Sequence, residues 1–132
     1  MYLWDHPHAR TYVSGNICII GDAAHATTPW QGSGGGMSIE DSLILSTLLG
    51  RAKTTKDAGA ALKIYDQVRR PRTQSIVESS RETGLIMTGQ GKETQLDLSR
   101  LKQKVLPRWD FILNIDMHKH RDDAAKLMED VI

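Results

Sequence analysis

The stretch Gly15-Asn16-Ile17-Cys18-Ile19-Ile20-Gly21-Asp22-Ala23-Ala24-His25, continued by Pro29-Trp30-Gln31-Gly32-Ser33-Gly34-Gly35-Gly36, decides how this chain is read. Ile17 to Ile20 form a continuous apolar run between Gly15-Asn16 and Gly21-Asp22, the pattern of a short strand buried on both faces of a sheet. A strand that ends in Gly-Asp places the Asp22 carboxylate at the carboxyl edge of that sheet, where open α/β folds bind ligands. The glycines after it let a ligand approach bare backbone. Beyond them the spacing predicts a helix from Met37 to Gly50, with Ser38, Glu40 and Asp41 bringing capping oxygen and negative charge to its first turn. Its start carries unpaired N–H groups and a partial charge of roughly +0.5. An anionic or electron-rich group is therefore favoured against Gly35 to Met37, and the whole unit reads as a polyol or phosphate site.

Other readings of the glycines fail on spacing. A G-x-G-x-x-G fingerprint starting at Gly32 needs glycine where Met37 stands, and a P-loop needs Gly-Lys-Ser/Thr. A nucleophile elbow around Ser33 needs glycine in place of Gln31.

Everything beyond the glycines reads as helix, so the expected strand has no partner strand later in the chain. Ser38, Ser42, Ser46 and Gly50 recur every four residues on the first helix, while Ile39, Leu43, Ile44, Leu48 and Leu49 give it a broad apolar face, as in a thoroughly buried helix. Lys53 to Asp57 reads as a polar linker. Ala58, Ala61, Leu62, Tyr65 and Val68 then keep helical spacing up to Arg69-Arg70-Pro71-Arg72, where Pro71 is expected to kink or restart the helix. Ile76, Val77 and Leu85 to Met87 continue the pattern until Gly84, Gly89 and Gly91 interrupt it, with a joint expected at Gly89-Gln90-Gly91. Leu98, Leu101, Val105, Trp109 and Ile112 step by three and four, with Pro107 as a new first-turn residue. A last helix from Asp116 should carry Met117, Ala124, Leu127 and Val131.

A chain of 132 residues suits one domain and excludes several well-buried cores. Its 17 basic and 16 acidic residues nearly cancel, which removes the electrostatic drive for nucleic acid or anionic membranes. The apolar run from Ile39 to Leu49 is too short and too polar for a membrane span. One cysteine, Cys18, cannot form an internal disulfide, and the first residues lack the regions of a secretory signal, so a reducing, cytoplasmic setting is expected.

Taken together, the Gly15-to-His25 stretch, Pro29 with Gln31-Gly32 and the glycines, and Ile39-Glu40-Asp41 followed by Leu43 resemble the third flavin-binding motif of the class A flavoprotein aromatic hydroxylases, the salicylate and p-hydroxybenzoate hydroxylase family. Tyr65 with Arg69-Arg70-Pro71-Arg72 is similar to that family's next helix, and Trp109 with Asp116 to its closing segment. The resemblance implies that Asp22 holds the ribityl hydroxyls of FAD. It also implies that Gly32 and the backbone N–H groups of Gly34, Gly35, Gly36 and Met37 face the pyrimidine end of the flavin, and that Pro29 lies beside the aromatic substrate. In such enzymes NADH or NADPH reduces the flavin, and one oxygen atom of O2 goes to an electron-rich aromatic ring; the cofactor carries that chemistry. Gly36 and Met37 stand where many relatives carry Asn and Gln, so side-chain amide contacts to the flavin are missing here.

The implied fold class is α/β: the C-terminal part of an FAD-binding doubly wound fold, with one buried strand, a glycine loop and several helices. Residues 1–52 would supply the last strand, flavin loop and helix, and residues 53–132 a helical region. The opening βαβ unit with its G-x-G-x-x-G and the substrate sheet have no counterpart, so this chain alone is expected to be inactive and to self-associate through its uncovered apolar faces. Two alternatives stand beside this reading, a noncatalytic interaction fragment and part of another FAD-dependent oxidoreductase such as an epoxidase.

Several residues admit plainer roles. Asp22 could cap a turn, but its place between strand and glycine loop favours a ligand. His25 is expected to be a hydrogen-bonded structural residue. His6 with His8, and His118 with His120, lack the spacing and third ligand of a metal site. Trp30 could stack on the flavin or cover the loop. Arg69, Arg70 and Arg72 could clamp a pyrophosphate, though ion pairs within the fold or a solvated face suit them better. Cys18 and Trp109 read as core.

Overall fold

A computed structural model describes residues 3–132. Its chain order is β1 (Val13–Ser14), β2 (Ile17–Cys18), α1 (Asp22–His25), a 3₁₀ turn (Pro29–Gln31), α2 (Gly34–Leu49), α3 (Thr55–Met87), α4 (Leu98–Val105), a second 3₁₀ turn (Leu106–Trp109), α5 (Asp110–Leu113) and α6 (Met117–Glu129). The fold is mostly helical with one two-stranded sheet.

The expected buried strand is the point of largest departure. β1 and β2 form an antiparallel hairpin in the register Val13↔Cys18 and Ser14↔Ile17, turned by Gly15-Asn16. Gly15 sits at φ +58°, the left-handed conformation that two-residue hairpin turns require. Only Ile17 and Cys18 of the apolar run are strand, and Ile17 is 72 % exposed and Ile20 41 % exposed. Cys18 is half-buried at the edge of the core rather than within it.

The core is instead made by helices. α2 turns its Met37, Asp41, Ile44 and Leu48 stripe inward, one residue every three or four, which is the helical period. Ile39 and Leu49 point outward, and the serine stripe is spent on its own backbone: Ser38 and Ser42 donate to the carbonyls four residues earlier. At Ser38 the stripe also comes close to another backbone, its Oγ 3.1 Å from where a Gly21 Cβ would stand. α3 is one continuous helix that starts inside the expected linker, where Thr54 and Asp57 cap each other's backbone N–H groups. Pro71 and Gly84 lie within it and neither breaks it. α6 starts on the Asp116 cap, as its sequence predicts, but buries Ala124, Ala125 and Met128 while Leu127 and Val131 stay exposed.

Tyr12, Ala24, Ile44, Leu48, Ile64, Tyr65 and Met128 share one cluster, so residues on both sides of position 52 build the same core. A smaller cluster joins Met37 to Ile76 and Val77. Between α3 and α6 the chain is thinly packed. The 3₁₀ turn carries Pro107 in its first turn as expected, yet α4, that turn and α5 contribute no buried residue, and Trp109 is only half-buried. No helix among the described residues is long and apolar enough to cross a membrane.

Candidate functional site

Asp22, Thr27, Pro29, Gly32, Gly34 and Gly35 line one open cleft of about 550 Å³. Thr28, Ser33 and Ser38 complete its lining; of the site residues singled out from the sequence, Gly36 and Met37 do not line it. The lining residues are placed there by local chemistry. Gly21, at φ +59° and ψ −142°, turns the hairpin's exit into α1, so that Asp22 opens that helix with its side chain exposed. Pro29 opens the 3₁₀ turn, and Gly32 closes it in the left-handed conformation at φ +64°, redirecting the chain into α2. The turn is anchored from behind: Ser80 Oγ donates to the Thr28 carbonyl at 2.7 Å, and Gln31 Nε2 donates to the Arg108 carbonyl at 2.9 Å. Trp30 lies against Gly84 of α3, where a Cβ would run into its indole; it covers the loop from the helix side.

The start of α2 differs from the expected one. The helix begins at Gly34 rather than Met37, so three of the glycines form its first turn. No acidic residue lies in that turn, and the Ser33 side chain does not cap it; Ser33 Oγ donates instead to the Gln31 carbonyl. The first backbone hydrogen bond of the helix runs from the Met37 N–H to the Ser33 carbonyl at 2.9 Å. Met37 therefore has no N–H to offer a ligand, and its side chain is buried in the core. The donors a helix start leaves without partners belong to Gly34, Gly35 and Gly36. A Cβ added at Gly32, Gly35 or Gly36 would meet nothing within 4 Å, and one at Gly34 only the Thr27 methyl at 3.6 Å. Gly32, Gly34 and Gly35 thus present bare backbone to the cleft, and Gly36 lies outside its lining.

Behind the cleft lies a buried ionic cluster that sequence reasoning missed. Asp41 is fully buried; its Oδ2 accepts from His25 Nε2 at 2.6 Å and from the Gly21 N–H at 3.1 Å, and its Oδ1 accepts from Arg69 Nε at 2.8 Å. Arg69 is equally buried and also pairs with Glu40 at 2.8 Å, which Arg72 grips through Nε and Nη2. Arg72 Nη1 and Nη2 reach on to the carbonyls of Phe111 and Ile112, and Arg69 Nη1 donates to His120 Nε2 on α6 at 3.2 Å. The arginines serve ion pairs within the fold, and His25 is a hydrogen-bonded structural residue. A signal for the cluster was present: Asp41 and Arg69 each sit at the period of a buried stripe, where a lone charge requires a partner.

Burial alone would raise the pKa values of Asp41 and Glu40, but the hydrogen bonds from His25 and Arg69 to Asp41, and from Arg72 to Glu40, hold both carboxyls below their usual range. Burial and the neighbouring Arg69 and Arg72 charges push His120 down as well. All three shifts act in one direction. Each group binds protons more readily in the unfolded chain, so its contribution is present above the unfolded pKa and lost as pH falls through the folded value. Stability should decline from about pH 6.5 as His120 is titrated and again below about pH 4 as the carboxylates are. Thermal melts across this range check it: His120→Gln should flatten the first decline and leave the second, and an unchanged first decline would refute the assignment.

Comparisons with known proteins assign the chain to a family. A family model described as "FAD binding domain" matches residues 4–80, which span the hairpin, the cleft and most of α3. The chain belongs to that family. It is 40 % identical over 128 residues to the 6-methylsalicylate 1-monooxygenase atA of Aspergillus terreus, covering 97 % of this chain and 29 % of that protein. It is 37 % identical to the FAD-dependent monooxygenase elcH of Phaeosphaeria nodorum, covering 97 % of this chain and 26 % of the relative. Its fold matches a structure titled as a salicylate hydroxylase substrate complex, with a TM-score of 0.84 and 35 % identity over 92 % of this chain and 29 % of that one. The chain thus spans less than a third of the length of these relatives.

Proposed function

We propose that this chain supplies the flavin-contacting portion of an FAD-dependent monooxygenase acting on a phenolic or salicylate-like aromatic substrate. The observation that carries the reading is the cleft, which is lined by the carboxylate residue Asp22 and by the side-chain-free backbone of Gly34 and Gly35 at the start of α2. The donor set fits the group. A polyol needs a charged acceptor, which Asp22 provides, and the pyrimidine edge of a flavin needs donors on an unobstructed surface, which Gly34, Gly35 and Gly36 provide. Gly32 keeps the approach open at the turn.

Bound there, FAD would supply the redox chemistry, with NADH or NADPH as reductant and O2 as co-substrate. This chain's own residues bind and orient. Asp22 accepts hydrogen bonds from the ribityl chain. The first turn of α2 directs unpaired N–H groups and a partial positive charge at the flavin's electron-rich edge, a preorganised electrostatic stabilisation that costs no rearrangement when negative charge develops. Pro29 borders the same cleft and forms a rigid wall beside the aromatic substrate.

Only one half of FAD is held by these contacts. The described residues offer a ribityl and ring site but no second glycine turn for adenosine and pyrophosphate, so FAD and FMN should bind the purified chain with similar, modest affinity and ADP should not compete. Equilibrium dialysis measures all three. Displacement of FAD by ADP, or no saturable flavin binding, would contradict the reading.

A further inference from the structure

We propose that Asp41 is a positioning residue of the flavin site: its buried carboxylate clamps the turn on both sides of Asp22 and so sets the direction in which the Asp22 side chain meets the cofactor. The inference rests on the proposed flavin site and deepens it. The clamp is visible in three contacts. One oxygen of Asp41 takes the N–H of Gly21, the residue before Asp22, and the ring N–H of His25, three residues after it. The other oxygen takes Arg69 Nε, which fixes the carboxylate plane from α3.

The turn needs such a clamp. Gly21 lies at φ +59° and ψ −142°, in a region that only glycine occupies readily, and glycine is the residue with the most conformational freedom to lose. α1 is a single turn of four residues with no side-chain cap, so its own hydrogen bonds cannot hold it in place. Asp41 supplies that anchorage from α2, the helix whose first turn carries the glycine donors. Ribityl acceptor and ring donors are thereby mounted on one element. Ser38 Oγ lies 3.1 Å from where a Gly21 Cβ would be and closes the turn from the same helix.

The chemistry of an amide at position 41 isolates this role. In Asp41→Asn the amide nitrogen replaces one oxygen, and the remaining oxygen still accepts from Arg69, whose charge Glu40 continues to balance. His25 can adapt by shifting its ring proton, since its Nδ1 has no partner among the described residues. The Gly21 N–H cannot adapt, because it would face another donor. The substitution therefore releases the Gly21 end of the turn while keeping the fold.

The test is a titration of the ¹⁵N-labelled 132-residue chain with FAD, followed at the amides of Asp22 and Ala23 and of Gly34 to Gly36. Wild type should respond at both groups. Asp41→Asn should lose the response at Asp22 and Ala23, keep that at the glycines, and bind about tenfold more weakly. Gly21→Ala, which disturbs the same turn without touching an ion pair, should do the same. Ile64→Ala, in the core away from the cleft, should lower the melting temperature and leave both responses and the affinity unchanged. If Asp41→Asn responds like wild type, or if Ile64→Ala weakens FAD as much, Asp41 is merely structural and the inference falls. A wild type with no response at either group overturns the flavin reading, and this inference with it.

Discussion

Arg69→Ala should cost about 3–5 kcal/mol of folding stability, the range for removing one partner of a buried ion pair. The guanidinium is fully buried, as is the Asp41 carboxylate it pairs with. Without it Asp41 keeps only His25 and the Gly21 N–H, and the Met37 carbonyl and His120 lose a donor. Domains of this size hold roughly 5–15 kcal/mol in total, so a large share of the stability goes with one side chain. Arg69→Lys should fall between, because a point charge keeps the balance but cannot reach Asp41 and Glu40 together in the planar geometry of a guanidinium. Urea titrations followed by circular dichroism measure both; a loss below about 1 kcal/mol for Arg69→Ala would show that the cluster does not hold α2, α3 and α6 together.

Asp22→Ala should weaken flavin binding by about 1.5–3 kcal/mol, the scale of a hydrogen bond to a charged group, which is roughly ten- to a hundredfold in affinity. Its effect on stability should be small. The Asp22 side chain is exposed and makes no hydrogen bond among the described residues, so its removal leaves no buried partner unsatisfied. This split between binding and stability separates Asp22 from Arg69, whose loss reaches the fold. Dialysis against FAD with parallel melts reads it: equal flavin retention by both proteins removes Asp22 from the site, and a large fall in melting temperature would reassign it as a structural turn residue.

How far the fold was legible depended on whether a local pattern reports a local cause. The start of the last helix at Asp116 and the structural role of His25 were readable from the sequence, and the structure has them. Ile17 to Ile20 were misleading because an apolar run states that burial is favourable without stating what supplies it. In this chain Ile17 and Ile20 remain uncovered, and Gly15-Asn16 closes a hairpin on a preceding segment too mixed in polarity to read as a strand. Pro71 looked like a break because its ring removes one backbone donor. Helix α3 continues through it because the flanking Tyr65, Arg69, Thr73 and Ile76 are all buried and hold both halves in line. Counting glycines hid that Gly34 to Gly36 belong to a helix, since three glycines resist helix formation unless packing beyond them compels it, as Met37 and Asp41 do. The Asp41–Arg69 pair, 28 residues apart in sequence, was the least legible feature, because a charge at a buried period calls for a partner without naming the residue that supplies it.

A crystal of this chain soaked in FAD tests the central claim most directly. The account predicts the flavin ring against the first turn of α2, over Gly34 to Gly36, with a ribityl hydroxyl within hydrogen-bond reach of the Asp22 carboxylate, about 2.5–3.0 Å. Flavin density elsewhere on the chain, or in the cleft with its ribityl chain turned away from Asp22, would contradict it.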